Sequence, residues 1–86
     1  MISVSSNSIT RDTILKAVSN IVGRLKHIDS SVLSPDKGLW EYGIDIVDVV
    51  DIILAVEKKY SIVIPDEVPV YTIDDFVNYV ALSFSK

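Results

Sequence analysis

The chain contains no cysteine, so neither a disulfide framework nor a thiolate metal site holds it together. Its single histidine, His27, has no second histidine with which to form a zinc site, and no nucleophile-and-base arrangement lies near it in sequence. A surface or helix-end role is expected for it. The three glycines stand singly at Gly23, Gly38 and Gly43, which excludes a Gly-rich phosphate loop. Long apolar runs are missing too. The longest is Ile52 to Val56, far below the roughly 20 residues that cross a bilayer, and Met1 to Ser8 lacks the basic and apolar parts of a secretory signal. No membrane span and a cytoplasmic location are therefore expected. With 86 residues, one domain covering 1–86 is expected, resting on one modest core. Paired carboxylates would need a pocket that so small a bundle rarely has, so the chain is not expected to be an enzyme.

What the chain does have is acid in one place. Its net charge is −4, but the span from Asp36 to Asp75 holds ten acids and three bases, and the rest carries +3. Such a segment repels phosphate backbones and argues against nucleic-acid binding. Two readings stay open: complementarity to a basic protein partner, or a surface whose charges only prevent self-association.

Three amphipathic segments follow a serine-rich lead-in, residues 1–9, that is expected to be flexible. Ile14, Val18, Ile21 and Leu25 recur at helical spacing, with Val22 widening the stripe, Thr10 as N-cap and Asp12 in the first turn. Gly23 is expected to fray the last turn. From Ile28 to Ile44 the periodicity breaks into a connection of about 17 residues, long enough to need a function or a core of its own. Val32, Leu33, Leu39, Trp40 and Tyr42 are expected to pin it to the helices, with Trp40 packing rather than serving as a ligand platform.

Asp45 then caps an apolar stretch, Ile46 to Val56, ending in Glu57-Lys58-Lys59-Tyr60. β-branched residues abound, yet the paired apolar residues and acids three apart fit a helix and break the alternation of a strand. Asp45, Asp48 and Asp51 form an acidic edge. The remaining circumference is almost wholly apolar, so the helix is either buried on most sides or carries a strip awaiting a partner. Pro65 breaks the Ser61-Ile62-Val63-Ile64 segment, expected as an extended strap. Thr72 caps a last helix whose apolar face is Phe76, Val77, Val80 and Phe84. The fold class is all-α, a small antiparallel helical bundle of three main helices plus a short one, with a long loop after the first. An EF-hand is excluded, because Asp45-Ile46-Val47-Asp48 lacks alternating oxygen ligands and a central glycine.

The segment from Leu39 to Glu67, LWEYGIDIVDVVDIILAVEKKYSIVIPDE, resembles the acyl carrier protein family of phosphopantetheine-binding carrier domains. Glu41-Tyr42-Gly43-Ile44-Asp45 fits the family's loop, Val47-Asp48 and Asp51 fit the next turns, and Ile64-Pro65-Asp66-Glu67 fits the turn after the helix. The resemblance implies a right-handed four-helix bundle with one short helix. It also implies that Asp45, Asp48, Asp51 and Glu57 form an edge docking on basic surfaces of acyl- or aminoacyl-handling enzymes, with Val47 and Leu54 as exposed apolar contacts. The alternative for Val47 and Leu54 is burial. Lys58 and Lys59 depart from the family's acidic run.

One position departs decisively. The family attaches 4'-phosphopantetheine to a serine following the motif aspartate, and here that residue is Ile46. No serine or threonine lies between Ser34 and Ser61. No cofactor is therefore expected on the chain as written. Two explanations stand: a natural carrier-like protein without the arm, or a carrier of fatty acid, polyketide or peptide biosynthesis whose serine was replaced. An unrelated helical adaptor is the third reading. Pathway, cargo and oligomeric state are not legible.

Overall fold

The computed structural model describes residues 10–84; the lead-in 1–9 lies outside the described residues. Three α-helices order the chain: α1 Arg11–Lys26, α2 Ile46–Tyr60 and α3 Ile73–Ser83. No strand occurs among the described residues, and the one β-bridge joins Gly38 to Thr72. Each helix begins where the sequence places a cap. Thr10, Asp45 and Thr72 each accept the backbone N–H three residues on, and Thr13, Asp48 and Asp75 return the bond to the cap's own N–H. These reciprocal boxes satisfy two otherwise unpartnered donors at every helix start.

Helix α1 is the element against which both α2 and α3 pack. Its Ile14, Val18, Ile21 and Val22 are buried together with Ile52 and Val56 of α2 and Ile73, Phe76, Val77 and Val80 of α3. No polar or charged residue among those described is buried, so apolar burial holds the helices together. Leu25 departs from the expected stripe. It is 42% exposed, because the last turn of α1 runs past the core cluster.

Gly23 does not fray the helix. It is buried, and α1 continues to Lys26. His27 then takes a left-handed conformation, φ 57°, and Ile28 donates its N–H to the Gly23 carbonyl at 2.9 Å. This is a Schellman closure, and α2 ends the same way, with Ser61 at φ 54° and Ile62 donating to Glu57. The returning chain brings the Ile28 carbonyl to 2.5 Å from where a Cβ on residue 23 would lie. A hydrogen is all that fits there.

The long connection folds into two single turns of 3₁₀ helix, Ser30–Val32 and Leu39–Tyr42. Leu33, Leu39 and Ile44 pin it into the core, and the half-buried Tyr42 hydroxyl accepts the Ser34 N–H at 2.7 Å. Its far end is tied to the start of α3, since Leu39 donates to the Tyr71 carbonyl and Asp74 donates to that of Pro35. Two of the residues expected to pin the loop do not. Val32 is 59% exposed and Trp40 is 74% exposed. Trp40 lies instead over Gly38, whose missing side chain leaves room for the indole.

The expected strap, Ser61 to Ile64, buries Ile64, and the chain continues as far as Thr72 through a turn closed by the Val68 N–H on the Pro65 carbonyl. Residues 61–72 contain no helix, so the short helical turns of this fold lie before α2 and not after it. Phe84 is 45% exposed at the end of α3 and meets Tyr60 edge-to-face at 6.0 Å.

Candidate docking site on the second helix

An α-helix advances about 100° per residue, which sorts the residues of α2 into faces. Ile52 and Val56 point at the core and are buried. Opposite them runs an exposed apolar strip: Ile46 is 78% exposed, Val47 66%, Val50 49% and Leu54 57%. Of the two fates open to so apolar a helix, this one keeps a strip outside. Val47 and Leu54 are therefore surface residues. Ile46 occupies the first helical position after the Asp45 cap, accessible to solvent but offering only carbon. A phosphodiester needs a side-chain oxygen, so the residues present do not fit a phosphopantetheine arm.

The acids expected to form one edge have different duties. Asp51 is exposed on the flank of the strip. Asp45 is exposed as well, with Oδ1 accepting the Asp48 N–H at 3.0 Å. Asp48 is drawn inward. Its Oδ2 lies 2.9 Å from Lys26 Nζ, and both side chains are about three-quarters covered, with 24% and 28% exposed. The bond to Lys26, then the backbone bond from the Asp45 cap, holds the Asp48 carboxyl below the usual carboxylate range. Glu57 is half-buried, and its Oε2 accepts the Ile64 N–H at 2.7 Å, fastening the strap to α2. Asp45, Ile46, Val47, Asp51 and Leu54 are each exposed to solvent. The structure places the Asp48 charge against a lysine and turns Glu57 to a structural bond.

Beside the strip is a cleft of about 510 Å³ between α2 and the chain from Asp66 to Tyr71. Ile44, Val49, Ile53, Val68 and Val70 form its walls, Val50 of the strip borders it, and Trp40 and Tyr71 stand at its mouth, 74% and 70% exposed. Asp45, Asp66 and Glu67 also line it, without any basic residue. Trp40, Val50, Tyr71, Asp66 and Glu67 lie here without a local sequence pattern that marks them as site residues. Asp66 and Glu67 were visible as an acidic pair after Pro65, but their approach to the start of α2 depends on the path of the strap.

Among the described residues no helix is long and apolar enough to cross a membrane, and no group of three or more His, Cys, Asp or Glu is placed to hold a metal ion. No protein-family model matches the chain.

Proposed function

We propose that the chain is an acyl-carrier-like docking module that lacks a phosphopantetheine arm, is not itself an enzyme and works in the cytoplasm on acyl- or aminoacyl-handling enzymes. The observation that supports it is the exposed start of α2: a capped helix presenting Ile46, Val47, Val50 and Leu54 to solvent beside Asp45 and Asp51. Apolar strips with a charged margin mark protein contact surfaces, and charge complementarity steers a basic partner onto them. The sequence resemblance names the class of partner, and an antiparallel, carrier-like bundle is part of the same reading. Incubation with coenzyme A and a broad-specificity phosphopantetheinyl transferase is expected to leave the mass unchanged. Addition of the arm would overturn the reading.

A second reading is favoured by the position of residue 46. It stands solvent-exposed at the helix start, where the family's attachment serine would have to be reached by a transferase. In that reading the chain is a carrier whose serine has been replaced, and an Ile46→Ser variant accepts the arm. The source gene distinguishes the two directly, by a serine or an isoleucine codon at this position.

A further inference from the structure

The cleft between α2 and the Asp66-to-Tyr71 segment has apolar walls and a rim charged with one sign only. Asp45, Asp66 and Glu67 line it, no Lys, Arg or His does, and none of the three acids is in an ion pair among the described residues. Its volume, about 510 Å³, lies within the roughly 300–1,000 Å³ of sites that enclose a small group. A whole helix does not fit inside; one or two bulky side chains do. Trp40 and Tyr71 at the mouth are of the types that dominate contact energetics in protein interfaces.

Charge decides among the occupants. A fatty carboxylate or an anionic lipid headgroup would bring negative charge to a rim already negative. A second copy docked symmetrically would set the same acids against themselves. A protein segment carrying Lys or Arg around an apolar residue meets neither obstacle. We propose that this cleft receives a bulky apolar anchor side chain of a partner protein, with flanking Lys or Arg paired to Asp45, Asp66 and Glu67. The inference rests on the docking reading above and adds to it the chemistry of the partner's contact segment. It places the anchor on the flank of α2, beside the outward strip of Val47 and Leu54.

The test uses the full chain, isotope-labelled, titrated with a short synthetic amphipathic helical peptide bearing Leu and Phe on one face and Lys and Arg around it. A charge-reversed peptide with Glu in place of Lys and Arg is the control. The cationic peptide is expected to shift the amides of Val49, Ile53, Val68 and Val70 and to change the emission of Trp40, the only tryptophan in the chain. Binding should weaken with added salt. Val50→Lys at the rim, and Asp66→Asn with Glu67→Gln together, should each weaken it about tenfold, whereas Val32→Ser, at an exposed residue outside both the strip and the cleft, changes it less than about twofold.

Shifts confined to Val47 and Leu54, with loss on Leu54→Lys, overturn the cleft assignment and leave the docking reading standing. Equal binding of the charge-reversed peptide overturns it, as does no binding, or self-association that protects the cleft residues. Transfer of the phosphopantetheine arm to the unaltered chain removes the armless-module reading without touching the peptide result.

Discussion

The Nζ of Lys26, in the last turn of α1, sits 2.9 Å from the Oδ2 of Asp48, in the first turn of α2. The same Oδ2 accepts the Asp45 N–H, so one carboxylate both caps its helix and joins two helices. Each charge also suits the helix end on which it stands. The Asp48 carboxyl, held below its ordinary 3.8 by the Lys26 and Asp45 bonds, contributes stability that is fully present above that value and is lost as pH falls through the lower folded-state value. Lys26 is shifted the opposite way, raised above 10.5 by the bond to Asp48; its contribution is complete below 10.5 and disappears as pH rises through the folded-state value. Asp48→Asn should therefore flatten the fall in stability on the acid side of pH 3.8, and Lys26→Met the fall above 10.5. Denaturant unfolding followed by circular dichroism across both limbs reads this. Unchanged limbs in both variants would show that the contact carries no linkage.

Glycine stands in the last turn of α1, whereas the left-handed positions that close α1 and α2 carry His27 and Ser61. Propensity alone makes Gly23→Ala stabilising by about 1 kcal/mol in a helix interior. The backbone carbonyl of Ile28, held by the Schellman closure, stands 2.5 Å from the added methyl, and such overpacking costs about 1–3 kcal/mol. The variant is expected to melt lower than the parent. Conversely, Ser61 holds φ 54° at the end of α2, and Ser61→Gly should raise stability by about 1 kcal/mol by removing the left-handed penalty of a side chain. Thermal melts of the two variants should move in opposite directions.

Glu57 fastens the strap. Its Oε2 accepts the Ile64 N–H at 2.7 Å, and the neighbouring Ile64 side chain is buried in the core. A hydrogen bond to a charged acceptor at a partly covered site contributes about 1.5–3 kcal/mol, so Glu57→Ala should cost about 2 kcal/mol and Glu57→Gln less. Hydrogen exchange at the Ile64 amide is the direct measurement. Faster exchange in the alanine variant, with α1 amides protected as before, is the expected result; no change would mean that the carboxylate does not hold the strap.

The helices were legible because local signals agree: each has a capping residue, an acid in its first turn and an apolar stripe at helical spacing. Composition also set the choice for α2 between burial and an exposed strip, without deciding it. That decision depends on how many neighbours a small bundle can offer, and α2 has only enough to cover Ile52 and Val56 fully. Trp40 was misread for a related reason. A tryptophan beside the buried Leu39 in a loop reads as core, yet its indole is 74% exposed and lies over Gly38, where the missing side chain leaves it room. The roles of Asp48 and Glu57 rest on contacts with Lys26 and Ile64, and no local pattern reports which acid meets which partner. The cleft acids Asp66 and Glu67 are of the same kind: their neighbours are set by the strap's path over α2.

Ile46→Ser is the substitution on which the two functional readings diverge most cleanly, because its effects on fold and on chemistry separate. Residue 46 is 78% exposed and is not one of the buried core residues, so the exchange should alter stability by no more than about 0.5 kcal/mol. The Asp45 cap is bonded to Asp48 and not to residue 46, which keeps the helix start intact. Chemically the variant gains the one oxygen the position lacks. If the chain is a working carrier whose own serine was replaced, the variant should gain the mass of the arm on incubation with coenzyme A and a broad-specificity transferase, while the parent gains nothing. If the chain is an armless module, its surface need not be one that a transferase recognises, and the variant should stay unmodified under conditions in which a known carrier domain is converted fully. Melting curves of the variant, run alongside, make refusal of the arm readable as a property of the surface and not of a damaged fold.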